Sequence, residues 1–118
     1  MKKFRLTLIT ENQKSLEKGK KFAELIRETL NYKNEYEISK YEKFENSYRV
    51  EFIGQITSQE NSVVESIELT DRICSPWTVT YDRDENNVEL IFNKSVFSNF
   101  RRNEFNVINW AAFGIENE

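Results

Sequence analysis

Apolar and polar side chains alternate from the start of the chain. Phe4, Leu6 and Leu8 are separated by Arg5 and Thr7, the period of two that leaves one strand face buried and the other wet. Thr10, with Gln13 three positions on, reads as a capping box. Leu16, Gly19, Ala23, Ile26 and Leu30 then recur at spacings of three and four, which predicts a helix with one apolar stripe. Gly19 and Ala23 are small enough to let that helix lie close against a sheet. Lys14, Lys18, Lys20, Lys21 and Arg27 fall on its other faces, and Asn31 is placed as its stop.

Tyr36 and Ile38 begin a second strand, and a turn near Glu45-Asn46-Ser47 leads to a third carrying Tyr48, Val50 and Phe52 on one face. Thr57 with Glu60 is a second candidate capping box. It opens a helix with Val63, Val64, Ile67 and Cys74 near one face, and Pro76 forbids its continuation. Trp77, Val79 and Tyr81 alternate with threonines. The polar run from Asp82 to Asn87 turns the chain, and Val88, Leu90 and Phe92 return it as a hairpin. In the tail, Asn103 is read as the cap of a helix holding Phe105, Ile108, Ala111 and Ala112, with Gly114 as its C-cap.

The resulting order is β-α-β-β-α-β-β-(α). It predicts an α+β fold: a mainly antiparallel sheet with helices on one face, built as a ferredoxin-like core with an added strand and a C-terminal helix. The 118 residues fit one domain, 1–118, without repeat, linker or low-complexity stretch. Nine Phe, five Tyr and two Trp supply enough large rings for a core despite 31% charged residues. Trp77, Phe105, Trp110 and Phe113 are read as core packing.

Chemistry is narrowed mostly by what is missing. There is no histidine, so a serine or cysteine nucleophile lacks its usual base and most zinc sites lack a ligand. The three glycines are isolated, so no phosphate-binding loop exists. The single cysteine, Cys74, on an apolar stripe, reads as a small buried hydrophobe and suits a reducing, cytoplasmic compartment. No apolar run reaches the roughly 18–20 residues that cross a bilayer. Met1–Thr10 alternates too strictly for a signal peptide. The expectation is a non-enzymatic protein with no cofactor, no metal and no membrane partner.

The net charge of -3 conceals an asymmetry. Residues 1–33 hold nine Lys/Arg against four Glu, a net +5, whereas 34–92 hold five against thirteen Asp/Glu, a net -8. An acidic block favours cationic partners and disfavours nucleic acid. Tyr36, Tyr41 and Phe44 lie among Glu35, Glu37, Glu42 and Glu45, which disfavours phosphate contact and suits a protein partner. Asp82, Asp84 and Glu85 add a second acidic group, which also reads as a plain solvated hairpin turn. The candidate partner-binding residues are therefore Glu35, Glu37, Tyr41, Glu42, Glu45, Asp82, Asp84 and Glu85, in a monomer or weak homodimer.

In its length, acidity, lack of histidine and aromatic α+β character, the chain resembles the small immunity proteins that accompany polymorphic toxins, including those of contact-dependent growth inhibition systems. The stretch from Glu35-Tyr36-Glu37 to Glu42-Lys43-Phe44-Glu45, and the closing Ile108-Asn109-Trp110-Ala111-Ala112-Phe113-Gly114, carry the likeness. The resemblance implies a protein that binds a cognate toxin domain, of a basic nuclease type, and blocks its active site or substrate entry. Two other readings stand beside it. One is a ferredoxin-like regulatory or small-ligand domain that dimerises through an edge strand. The other is an RNA-binding module using the N-terminal lysines.

Overall fold

The computed structural model describes residues 2–31, 35–58, 60–85 and 87–117. Strand β1 (Lys2–Thr10) buries Phe4, Leu6 and Leu8 as the alternation requires. Helix α1 (Leu16–Leu30) buries Gly19, Phe22, Ala23, Ile26 and Leu30, while Leu16 stays largely exposed. The expected cap at Thr10 is corrected: Thr10 still belongs to β1, and its hydroxyl accepts from the Tyr48 amide at 3.2 Å. Ser15 caps instead, its Oγ accepting from the Lys18 amide at 3.2 Å. Asn31 ends the helix in the left-handed region, φ 59, ψ 41, where Asn tolerates a conformation most residues avoid.

α1 returns the chain to β2 (Tyr36–Lys40), and β3 (Tyr48–Gln55) runs between β2 and β1, antiparallel to both. Gly19 serves this return: a Cβ there would sit 2.8 Å from Ile38 Cδ1 on β2. α2 follows (Ser62–Asp71), with its start shaped by Glu65 rather than by Thr57 and Glu60. The Glu65 carboxylate accepts from the Thr57 amide at 2.9 Å, the Thr57 hydroxyl at 2.6 Å and the Ser58 amide at 2.9 Å. Its apolar stripe is also corrected. Ser62, Ser66, Leu69 and Thr70 face inward, and Val64 and Ile67 face out. Ser66 and Thr70 can be buried because their hydroxyls donate to the Ser62 and Ser66 carbonyls one turn back, at 2.7 and 2.9 Å.

Short strands β4 (Cys74–Ser75) and β7 (Asn99–Phe100) form a small separate ladder. Arg101 fastens it to the end of α2. Its Nε donates to the Asp71 carbonyl at 2.9 Å, and its Nη2 reaches the Asp71 carboxylate at 2.7 Å. α2 has no basic residue in its own last turn, so Arg101 supplies the cation its C-terminus favours. The hairpin of β5 (Thr78–Asp82) and β6 (Asn87–Asn93) forms as read; Asn86 of its turn lies outside the described residues.

The expected C-terminal helix is overturned. Asn103–Val107 makes only a 3-10 turn, and Ile108–Asn117 is a ten-residue strand, β8. Phe105, Ile108 and Ala111 are indeed spaced like a helix stripe. From Ala111 onward, however, burial alternates through Phe113 and Ile115, because β8 pairs with β1 on one side and β6 on the other. Two ladders of backbone hydrogen bonds outweigh the weak helix preference of two alanines. The order is thus β2-β3-β1-β8-β6-β5. The place beside β1 that a ferredoxin-like core gives to the strand after the second helix is held by β8.

The fold is α+β, with an antiparallel six-stranded sheet and two helices. One sheet face and the inner faces of both helices share a single apolar cluster. Phe4 and Phe113 stack across the β1–β8 seam with centroids 5.0 Å apart and planes 13° apart. Phe113→Ala is expected to cost about 3–5 kcal/mol, since it removes a fully buried ring and leaves a cavity at the seam. Chemical denaturation should show a lower midpoint with an unchanged slope, and a loss below about 1 kcal/mol would mean the ring is not central to the core. Ser15→Ala should cost about 1 kcal/mol by the same measurement.

Candidate functional site

The other face of the sheet carries the surface chemistry. Alternation sends Arg5, Thr7 and Ile9 of β1, Arg49 and Glu51 of β3, and Trp110, Ala112, Gly114 and Glu116 of β8 to the side away from the helices. Arg5 organises its centre. Its guanidinium pairs with Glu51 and, at 3.0 Å through Nε, with Glu116. The Glu116 hydrogen bond and then the Glu51 charge raise the Arg5 pKa further above its ordinary value. Glu51 also accepts from Arg49 at 2.8 Å. Over Ala112 and Gly114 the floor is low, because neither has a side chain beyond Cβ, and a groove runs toward Asp82 and Glu89.

At one end the face deepens into a cleft of about 580 Å³. Ile9, Tyr41, Phe44 and Trp110 give it apolar walls, and Arg49 and Lys94 stand at its edge. Tyr41 and Phe44 hold each other, centroids 5.8 Å apart, and Asn46 closes their turn at φ 56. Lys94 is committed to the scaffold: its ammonium donates to the Asn106 carbonyl at 2.6 Å and to Glu11 at 3.0 Å.

Directly after Lys94 the chain makes a turn with two apolar residues outward. Val96 is 94% exposed and Phe97 82%. The turn is pinned by the Ser98 amide to the Ser95 carbonyl at 3.1 Å, the Ser95 amide to Ser98 Oγ at 2.8 Å, and the Phe97 amide to Ser95 Oγ at 3.1 Å. A rigid turn displaying a phenyl ring is ready to bind, because its ordering entropy is already lost. Isolated exposed apolar residues are common, but Val96 and Phe97 stand together on a fixed turn that follows directly on the cleft residue Lys94.

The structure divides the expected partner-binding residues. Glu35, Glu37, Tyr41, Glu42 and Glu45 collect at the β2 edge and the β2–β3 turn. Asp82, Asp84 and Glu85 lie at the β5 edge, five strand spacings or about 24 Å away. The acidic residues therefore do not share one flank. Tyr41 is half-buried in the cleft wall, whereas Glu42 and Glu45 are exposed on the turn that carries Phe44. Asp82 closes its own hairpin turn, with Oδ1 accepting from the Asp84 amide at 3.0 Å and the Glu85 amide at 3.4 Å. Among the described residues, the ion pairs engage none of these seven carboxylates. Tyr36, nearby, turns inward against Phe52, and burial first and Glu24 second raise its pKa.

Sequence reading passed over Ile9, Arg49, Lys94, Val96 and Phe97 as site residues, and its assignment of Trp110 to the core is corrected: the half-buried ring lines the cleft on the open face. Val96 and Phe97 left a usable signal: two apolar residues between turn-forming serines, outside any period. Trp110 left none, since its exposure depends on β8 being a strand. Phe105 and Phe113 are fully buried, and Trp77 packs on Phe92 at 5.6 Å.

Among the described residues no group of three or more His, Cys, Asp or Glu is placed to hold a metal, and no helix is long and apolar enough to cross a membrane. Cys74 is fully buried, and desolvation pushes its thiol up to about 12. It is therefore protonated at neutral pH and poor as a nucleophile. A folded-state pKa above the unfolded value favours the folded state while the thiol is protonated. That contribution is full below about 9 and fades as the pH rises toward about 12. Native protein should thus resist thiol alkylation at pH 8 and react on denaturation, and Cys74→Ala should flatten the stability loss above pH 9. Rapid native labelling would contradict the burial. Compared with protein-family models, with curated proteins and with solved structures, the chain matches none of them.

Proposed function

We propose that this protein is a non-enzymatic, toxin-neutralising immunity protein, which binds a basic, nuclease-type toxin domain and blocks its active site or substrate entry. One observation supports the reading: an apolar cleft opens at one end of the uncovered sheet face under the turn that carries Glu42, Lys43 and Glu45, and its wall residue Lys94 leads directly into the turn that exposes Val96 and Phe97. This is the composition of a protein-binding surface, with aromatic anchors at its centre and charge at its rim. The anchors supply affinity. The carboxylates steer a cationic partner and stand where a nuclease would meet phosphates.

The site supports a protein partner over RNA. Of the cations near the cleft, Arg49 is paired with Glu51 and Lys94 with Glu11, so neither is held open for a phosphate backbone. The lysines of α1 lie on the helix side of the molecule, away from the cleft aromatics. In this reading the Asp82–Glu85 turn is a hairpin closure and not part of the contact.

Co-expression with the toxin domain encoded beside its gene should restore growth and give a complex that co-purifies. Unrelieved killing with no complex would refute the reading. Within the complex, Phe97→Ala and Phe44→Ala are expected to lose about 2 kcal/mol each, roughly thirtyfold in Kd, mainly through faster dissociation. Glu42→Lys and Glu45→Lys should instead slow association, most at low salt, while Asp84→Lys leaves it unchanged. Equal effects at Glu42 and Asp84 would dissolve the site assignment.

A further inference from the structure

We infer that β5 is a self-association edge: two copies of this chain pair their β5 strands antiparallel about a two-fold axis at Thr80, joining their sheets into one of twelve strands. The two edges of the sheet are built differently. β2 carries Glu37 and Lys40 within its five residues, charges that discourage strand addition. β5 runs Thr78-Val79-Thr80-Tyr81 without a charge until Asp82, and every one of its residues is exposed. Its pairing with β6 is regular from Thr78↔Ile91 to Asp82↔Asn87, with no bulge to twist the edge away. Four β-branched or aromatic residues on an unguarded edge are a template for another strand.

The incoming strand is a second β5, because the sequence is complementary to its own reverse. With Thr80 opposite Thr80, Val79 falls opposite Tyr81 and Thr78 opposite Asp82, on both sides of the axis. Aromatic–β-branched and Thr–Thr neighbours are among the favourable cross-strand pairs, and each Asp82 meets a hydroxyl and not the other Asp82. Val79 and Tyr81, 46% and 50% exposed, share the sheet side of Leu90 and Val88. Pairing therefore brings four apolar side chains together beside the existing core. A contact one strand long is small, so the dimer is weak and depends on concentration. It closes as an isologous pair. Self-association of this kind needs no toxin and stands apart from the proposed function.

Sedimentation velocity of the full chain, from low to high micromolar concentration, should show a monomer–dimer equilibrium. Thr80→Lys forces two ammonium groups opposite each other and should weaken it by at least about tenfold. Ser39→Lys on β2 should leave it unchanged. Thr80 is exposed, so the variant keeps its core, and an unchanged melting curve would confirm that. Thr80→Cys should form an intermolecular disulfide under mild oxidation, with buried Cys74 silent. A mixture of Val79→Cys and Tyr81→Cys chains should cross-link to each other faster than either does to itself. Monomer at every concentration, dimers indifferent to Thr80→Lys, or open-ended polymers that Ser39→Lys abolishes would each overturn the inference. The last would mean β5 pairing with β2.

Discussion

The double pairing of β8 holds the molecule together. β1, β2 and β3 form one antiparallel group around α1, and β5 and β6 form a hairpin after α2. Among the described residues β8 joins these two groups into one sheet, lying between β1 and β6. Its apolar residues Ala111, Phe113 and Ile115 complete the floor on which both helices rest. Its small residues on the opposite side, Ala112 and Gly114, keep the open face low. One strand thus closes the core and shapes the surface.

That closure is non-local. The β1–β8 ladder joins residues roughly a hundred positions apart or more, from Lys2↔Asn117 to Thr10↔Ile108. Loop entropy must be lost before such contacts form, so a chain of this topology folds more slowly than a helical bundle of its size. Smaller clamps hold the intervening segments. Arg101 ties the β4–β7 ladder to α2, Glu65 orders the entry to α2, and Lys94 fixes the chain just before the exposed turn. The Val96–Phe97 turn can therefore be rigid without any core contact of its own.

Surface chemistry follows from the two-sidedness of the sheet. Period-two alternation on β1, β3 and β8 separates a hydrocarbon side from one carrying the Arg5–Glu51–Glu116 cluster, and a one-residue slip would exchange them. Exposed ion pairs of this sort contribute little to stability. Their consequence is electrostatic: they neutralise the middle of the face and leave uncompensated carboxylates at its two edges. The β2 edge combines that charge with the Tyr41 and Phe44 rings of its turn, the β5 edge with uncharged strand backbone, so the two edges suit different contacts.

Features that depend on neighbours in the chain are legible in residue order. Alternation locates β1, β3, β5 and β6, the three–four spacing locates α1, Asn31 marks its end, and the absence of histidine narrows the chemistry. Features that depend on distant partners are settled only when the chain is folded. The Phe105–Ile108–Ala111 spacing fits a helix as well as a strand, and the waiting edges of β1 and β6 select the strand. α2 turns Ser66 and Thr70 inward because backbone carbonyls satisfy their hydroxyls, which apolar periodicity does not register. The -8 segment is contiguous along the chain, yet strand order sends its carboxylates to opposite edges. Linear charge density holds no record of sheet topology, and so the gathering of Ile9, Tyr41, Phe44 and Trp110 around one cleft is a property of the fold alone.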